Sequence, residues 1–516
     1  MSARLRGAAA LAAALALASC TGGGSSGTSF VNVVPPPGNP GALAPVQKLS
    51  ITGVGDSLTA GMQSSGLMGA DLPVLGLNPQ LGQIGPVQRT QEHGFFALLW
   101  QQANGVDINT MSDPTKSPLP LMIPPGVGGM LAPTTAGFPF PVTSNCDAKQ
   151  IPANTFSTAL SLRMNPGMNP YDVAVPGQTV HEALYMVGAI GDCTINVTNA
   201  PGSFVQLNAL VNGESQQFWP ILAGFGSGVS QVAAAVSTHA QVATVWLGSH
   251  DLLKVAFAGG AAPVTAPQSM HDDIVAIVKQ LQGAGSKVAV ANLVDVMGAA
   301  VFIPQPAYQP TLQAYISATL QGPPNNVPAP VANAIATQYS TAYAAQESAQ
   351  TGLGPSGYFT INGLFKTLQT AFAQIPPHAV PVAPALNSGD FIPDAIANNV
   401  KALNLAYNAA IGQAASDSGA ALVDINALFK QIAAAGGVPV NPPKCCSLVY
   451  RGGMLSLDGV HPSNTGYAII ANAFISQLNA SYSLGIPQVN VGAVYATDPY
   501  APGNGVSGFS VIRSPR

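Results

Sequence analysis

Short apolar runs bounded by glycines and prolines recur along the chain, and segments with helical spacing of apolar residues separate several of them. The runs are rich in β-branched residues and have the length of buried strands. They predict strands at residues 49–55, 171–176, 242–247, 287–294 and 421–425. The clearest helical patterns, at residues 270–282 and 396–416, precede the fourth and fifth strands. This alternation predicts an α/β fold with a parallel sheet of about five strands, covered by helices on both faces.

Two long segments interrupt the alternation, residues 104–163 and 302–390. Both are rich in proline and glycine and poor in regular periodicity, which favours functional loops or a cap over core elements. Residues 118–142 are apolar enough to line an acyl pocket, although a loop packed over the sheet edge would have the same composition. We therefore predict one domain over residues 48–482 with two insertions, followed by a tail over residues 483–516.

The N-terminus has the features of a targeting segment. Two arginines precede an apolar stretch, residues 7–17, that is too short to span a bilayer. The sequence LASC that follows, ending at Cys20, resembles a bacterial lipobox, although an ordinary signal-peptide cleavage site has similar small residues. We expect a lipoprotein signal peptide over residues 1–19, a lipid on Cys20 and a flexible tether over residues 20–47. Thr21 stands where an aspartate would resemble an inner-membrane retention signal, which favours a lipid anchor in the outer membrane of a bacterial cell envelope.

Four cysteines remain if Cys20 carries a lipid, and three disulfide connectivities are open to them. We favour a disulfide between Cys146 and Cys193, because the adjacent Cys445 and Cys446 could join each other only through a strained ring. A metal site is the competing interpretation, but no CxxC spacing or histidine partner stands near these residues.

The charge of the chain argues against nucleic acid as a partner. Lysine and arginine number 17 against 21 acidic residues, for a formal net charge of -4, and no basic block is present. Binding to a phosphate backbone depends on such basic groups. We expect no nucleic-acid partner.

The stretch VGDSLTAG places an acid and a hydroxyl between glycines, directly after the first predicted strand. A serine at the carboxyl end of a strand that turns at once into a helix has its hydroxyl above the sheet and its N–H among the unpaired donors of the helix start. This placement suits a nucleophile at Ser57. Asp56 or Ser57 acting as a helix N-cap is the alternative.

A base for this serine stands far along the chain, in SLDGVHPSNTG. Serine is a weak nucleophile unless a nearby base takes its proton, and histidine suits that task near neutral pH. His461 is the candidate base. Asp458, three residues earlier, could accept the other ring N–H and stabilise the imidazolium. A structural Asp-His turn before a helix would contain the same residues.

The motifs GDSL at residues 55–58 and DGVHP at residues 458–462, in this order, resemble the GDSL, or SGNH, family of serine esterases and lipases. The resemblance covers about residues 48–477 and leaves the two insertions unexplained. It implies a three-layer α/β/α, flavodoxin-like fold. It also implies hydrolysis of small-molecule or lipid esters by a Ser57, His461 and Asp458 triad, with no metal or organic cofactor.

Two further blocks resemble the family's oxyanion-hole motifs. DVAVPGQTV resembles the second block, which implies that the backbone N–H of Gly177 joins that of Ser57 in the oxyanion hole. The third block normally ends Gly-x-Asn-Asp, with the asparagine as a third donor, but here it reads Gly-Ser-His-Asp, ending at Asp251. An imidazole N–H can also donate, so His250 is the candidate third donor. Asp251 is expected to hold the loop or orient His250.

Two other functions fit the same residues. An acyltransferase or a polysaccharide deacetylase would use the same triad and acyl-enzyme. A non-catalytic surface lipoprotein that binds glycan or lipid is the other alternative, and it is favoured by the histidine at position 250.

Overall fold

The computed structural model describes most of the chain from residue 229 onward and selected parts before it. The described ranges are residues 42–43, 45–64, 66–67, 69, 83–84, 88–108, 113–121, 127–128, 130–131, 164–165, 168–186, 221–225, 229–260, 262–322, 325–375, 381–438, 446–502 and 504. They all belong to one compact unit, residues 34–516. The predicted signal peptide and most of the first insertion lie outside the described residues.

The regular elements alternate between strands and helices. The strands are β1 (Ala42–Leu43), β2 (Ile51–Gly55), β3 (Gly66–Leu67), β4 (Gln83–Ile84), β5 (Val127–Gly128), β6 (Met130–Leu131), β7 (Met168–Asn169), β8 (Val242–Trp246), β9 (Lys287–Ala291), β10 (Phe302–Pro304), β11 (Tyr358–Thr360), β12 (Phe391–Ile392) and β13 (Ala421–Val423). The α-helices are α1 (Phe95–Asn104), α2 (Val180–Tyr185), α3 (Gln231–Ser237), α4 (Ser249–Phe257), α5 (Pro267–Gly283), α6 (Gln305–Gln321), α7 (Ala329–Thr351), α8 (Ile361–Gln374), α9 (Asp394–Ser418), α10 (Ile425–Ala435), α11 (Asn464–Tyr482) and α12 (Val491–Thr497).

The central sheet is parallel, with its strands in the order β13-β9-β8-β2. Alternate side chains of each strand enter different cores. Val288 and Val290 of β9 pack with α5 and α9 on one face, whereas Ala289 and Ala291 pack with α1 and α11 on the other. Sheet residues buried on both faces are characteristic of a parallel sheet between two helical layers. The predicted three-layer α/β/α fold is confirmed.

The predicted strand at residues 171–176 lies along the free edge of β2. The N–H of Gly53 donates to the carbonyl of Tyr171, and the N–H groups of Val173 and Val175 donate to the carbonyls of Gly53 and Gly55, each at 3.0 Å. With this segment included, the five predicted strands have the flavodoxin-like spatial order 2-1-3-4-5. The segment is extended rather than a regular strand, so the regular sheet has four strands and not five.

The second insertion is mostly helical and contains α6, α7 and α8, together with β10 and β11, which form an antiparallel sheet in the order β10-β11-β12 with the strand directly after the insertion. Of the two expectations for this segment, loops or a cap, the loops were wrong, because helices form most of it. Prolines stand in the first turn of α6 and of α7, where a missing N–H leaves no helical hydrogen bond unmade. Buried side chains of the insertion, such as Tyr308 and Phe359, join the core on the α5 and α9 face.

The described part of the predicted tail packs against the domain. It contains α12, and the side chains of Asp498 and Tyr500 that follow are buried. One carboxylate oxygen of Asp498 accepts both the N–H and the hydroxyl of Thr465, in the first turn of α11, at 2.8 and 2.6 Å. None of the helices in the described ranges combines the length and apolar character that crossing a membrane requires.

Candidate active site

Ser57, His461 and Asp458 lie in one hydrogen-bonded line, although Ser57 and His461 are 404 positions apart in the chain. The Oγ atom of Ser57 is 2.8 Å from Nε2 of His461, and Nδ1 of His461 is 2.6 Å from Oδ2 of Asp458. Asp458 and His461 are buried, and Ser57 is half-buried. This is the arrangement of a nucleophile, a base and an orienting acid.

Ser57 follows β2 in a tight turn. One carboxylate oxygen of Asp56 accepts the N–H of Leu58 at 3.0 Å, and the carbonyl of Asp56 accepts the N–H of Ala60 at 3.1 Å. The predicted helix does not form, because Gly61 takes a left-handed conformation with φ of 77° and the chain turns away. Burial raises the pKa of Asp56 to about 7.

The loop that carries Asp458 and His461 is held by its own backbone. The Oδ1 atom of Asp458 accepts the N–H groups of Val460 and His461 at 2.8 and 2.9 Å. Gly459 has φ of 69°, and a Cβ there would lie 2.7 Å from the backbone nitrogen of Val301. Burial alone would raise the pKa of Asp458, but the His461 ring and these donors together hold it below its usual value.

The predicted oxyanion-hole residues stand at the ends of adjacent parallel segments. Gly55 pairs with Trp246 in the sheet, and the N–H of Val175 donates to the carbonyl of Gly55. Ser57 lies two residues after Gly55, and Gly177 lies two residues after Val175. Within the described ranges, neither of their backbone N–H groups has an acceptor. Both donors are therefore available at the carboxyl edge of the sheet, where ligands bind in such folds.

His250 is buried in the first turn of α4, directly after β8. The helix begins after Gly248, which has φ of 113°. The carboxylate of Asp251 accepts the N–H of Val180 at 3.1 Å and the hydroxyl of Thr265 at 2.6 Å. Asp251 thus ties α4 to the start of α2, and α2 begins three residues after Gly177. Burial raises the pKa of Asp251 to about 6.

Sequence reasoning missed two glutamines beside the site. The Oε1 atom of Gln231 accepts the N–H of Gly55 at 2.6 Å, and Nε2 of Gln231 donates to Oε1 of Gln178 at 2.5 Å. Both side chains are buried. No local pattern marks Gln231, which is the first residue of α3 and contacts the site only through the tertiary fold.

The cysteine predictions fall mostly outside the described ranges. Cys20, Cys146 and Cys193 are all outside them. Cys446 is disulfide-bonded, and its partner also lies outside them, so the pairing of Cys146 with Cys193 stays a prediction. In the described part of the chain, no group of three or more histidines, cysteines or carboxylates could hold a metal ion.

Comparison with protein families gives a match over residues 51–474 to the family described as GDSL-like lipase/acylhydrolase. A comparison with curated proteins gives no match. The matched region begins at β2, which leads to Ser57, and ends within α11, which follows His461. The chain therefore belongs to the GDSL-like lipase/acylhydrolase family.

Proposed function

We propose that this protein hydrolyses carboxylic esters through an acyl-enzyme formed on Ser57. The observation that carries the proposal is the line from Ser57 Oγ through the ring of His461 to Asp458, with contacts of 2.8 and 2.6 Å. Membership of a lipase and acylhydrolase family supports the same reaction class. The substrate is a small-molecule or lipid ester.

The reaction proceeds in two halves. Ser57 Oγ attacks the ester carbonyl while His461 Nε2 takes its proton, and His461 then gives that proton to the leaving alkoxide oxygen. Water, deprotonated by His461, attacks the acyl carbonyl and releases the carboxylic acid and Ser57. Asp458 holds the ring tautomer that keeps Nε2 free to accept. The N–H groups of Ser57 and Gly177, with the ring of His250 as a third donor, stabilise the tetrahedral oxyanion.

The proposal is tested by replacing the nucleophile. Ser57→Ala should abolish both turnover of p-nitrophenyl acetate and covalent labelling by a fluorophosphonate probe. Ser416→Ala is a matched control, because Ser416 is an exposed serine on α9. Turnover that survives in purified Ser57→Ala protein would show that the assignment is wrong.

A non-catalytic function remains the second candidate, because His250 replaces the asparagine expected in the third block. A surface lipoprotein that binds glycan or lipid would give no fluorophosphonate labelling, and its ligand binding would survive Ser57→Ala. The short contacts within the triad favour catalysis. If the protein is labelled but transfers the acyl group to an added sugar rather than to water, it is an acyltransferase. Release of acetate from acetylated polysaccharide would instead indicate a deacetylase.

The location belongs to the same proposal. A lipid on Cys20 would anchor the domain through the tether to the bacterial cell envelope, with the outer membrane favoured by Thr21. Labelled palmitate should be incorporated into the full chain and not into Cys20→Ala. A Cys20→Ala protein that still fractionates with membranes would contradict the anchor.

A further inference from the structure

The N–H of Gly55, two residues before Ser57, donates to a side-chain amide and not to the main-chain carbonyl that the strand register would provide. The contacts of Gly53 with residues 171 and 173, and of Gly55 with Val175, set a parallel register along the edge of β2. In that register the N–H of Gly55 would donate to the carbonyl of Val173. It donates instead to Oε1 of Gln231, at 2.6 Å. This substitution explains why residues 171–176 do not form a regular strand.

The orientation of the Gln231 amide is fixed by its partners. The N–H of Gly55 can only donate, so the atom facing it must be the amide oxygen, and the amide nitrogen then faces Gln178. That nitrogen donates to Oε1 of Gln178 at 2.5 Å. Gln231 is wholly buried and Gln178 is 3 % exposed, so water does not replace either bond when it is lost.

The bridge joins the two segments that carry the backbone donors. Gly55 precedes Ser57 by two residues, and Gln178 directly follows Gly177. The turn around Gly177, which has φ of 85°, is closed by the N–H of Gln178 donating to the carbonyl of Val175 at 3.2 Å. A movement of Gln178 therefore moves the N–H of Gly177 relative to that of Ser57.

We propose that Gln231 is a positioning residue that sets the separation of the two backbone N–H donors of the oxyanion hole. The inference rests on the proposed ester hydrolysis. Oxyanion donors act at about 2.7–3.1 Å, and a misplacement of about 1 Å can lower turnover by about 10²-fold. Gln231 is itself held at the start of α3, where the hydroxyl of Ser230 accepts the N–H of Ala233 at 3.2 Å.

Replacing the polar end of Gln231 should lower kcat and leave KM nearly unchanged. Gln231→Met has similar length but cannot bond either partner, and we expect kcat for p-nitrophenyl acetate to fall by about 10²-fold. Affinity for an alkyl boronic acid, which forms a tetrahedral adduct with the serine, should fall with it. Gln231→Glu keeps an acceptor for Gly55, and Gln178 can turn its amide to meet the new carboxyl, so most of kcat should return.

Gln346→Met is a matched control, because Gln346 also makes a two-ended amide bridge, from Pro381 to Ala383, within the second insertion. Parent-like kcat and boronate affinity in folded Gln231→Met would overturn the inference while leaving the proposed function intact. If Gln231→Met does not fold, Gln178→Met breaks the other end of the bridge and carries the same expectation. A parent protein with neither turnover nor fluorophosphonate labelling would overturn the proposed function, and this inference with it.

Discussion

The carboxylate of Asp458 contacts His461 twice, through Oδ2 to the ring Nδ1 at 2.6 Å and through Oδ1 to the backbone N–H at 2.9 Å. One acid therefore fixes both the ring and the chain segment from which the ring projects. Ser456 supports it further, because its hydroxyl lies 3.3 Å from Oδ1 and accepts the N–H of Ser64. His461 is thus held by a buried network rather than by a single bond.

Asp458→Asn should lower kcat by about 10⁴-fold, because an amide N–H facing Nδ1 favours the tautomer whose Nε2 carries a proton and cannot accept from Ser57. The thermal unfolding temperature should change little, since the amide oxygen can still accept the backbone N–H groups. Steady-state kinetics with a short-chain chromogenic ester measure the effect. Asp113→Asn, at an exposed turn, is the control. A loss of less than tenfold in Asp458→Asn would contradict the role given to Asp458.

The central sheet and the candidate triad could be predicted from the sequence, because each depends on a contiguous pattern. Ser57 lies just after an apolar run of strand length, and Asp458 and His461 share one short turn. Only the meeting of these two segments requires the tertiary fold. The resemblance of both motifs to one family predicts that pairing from the sequence alone.

The break in the edge ladder was not predictable from the sequence, because the N–H of Gly55 donates there to the side chain of Gln231. Gln231 lies far along the chain from both Gly55 and Val173, and no pattern in either segment indicates that a side-chain amide will enter the ladder. The helices of the second insertion were not predictable for a related reason. Its helices contain prolines in their first turns, which composition alone cannot distinguish from prolines in loops.

His250 provides a second prediction. If its ring donates to the oxyanion, His250→Ala should lower kcat by about 10²–10³-fold, whereas His250→Asn should retain activity because asparagine is the donor usual at this position. Progress curves with p-nitrophenyl acetate and circular dichroism of each variant provide the measurement. Equal kcat in the parent and His250→Ala would remove His250 from the oxyanion hole. A silent parent with an active His250→Asn variant would instead favour the non-catalytic alternative.

The burial of Glu347 predicts that the free energy of unfolding depends on pH. It is buried in the second insertion, where it accepts the hydroxyl of Thr367, and burial raises its pKa from the usual 4.5 to about 7. The folded chain thus keeps a proton that the unfolded chain loses near pH 4.5. Stability should therefore fall as the pH rises from about 4.5 to about 7 and change little from this group above that range.

Glu347→Gln should remove this dependence, because an amide has no proton to lose in this range. The variant should gain on the order of 3 kcal/mol relative to the parent between about pH 4.5 and about pH 7. Urea unfolding at several pH values measures the difference. Asp113→Asn, at an exposed turn, serves as the control for a general loss of one negative charge. A constant difference between Glu347→Gln and the parent across this range would contradict the prediction.

Asp498 should stabilise the domain through the start of α11. Its carboxylate accepts the N–H and the hydroxyl of Thr465 and the N–H of Tyr500, and it is fully buried, so Asp498→Ala leaves three donors without a partner or water. The expected loss is about 1–3 kcal/mol in the free energy of unfolding. Asn490→Ala, which removes the exposed cap of α12, should cost no more than about 1 kcal/mol. Urea denaturation of both variants compares the two. Equal losses of unfolding free energy in the two variants would contradict this role of Asp498. They would mean that Asp498→Ala destabilises the chain only by loosening α12.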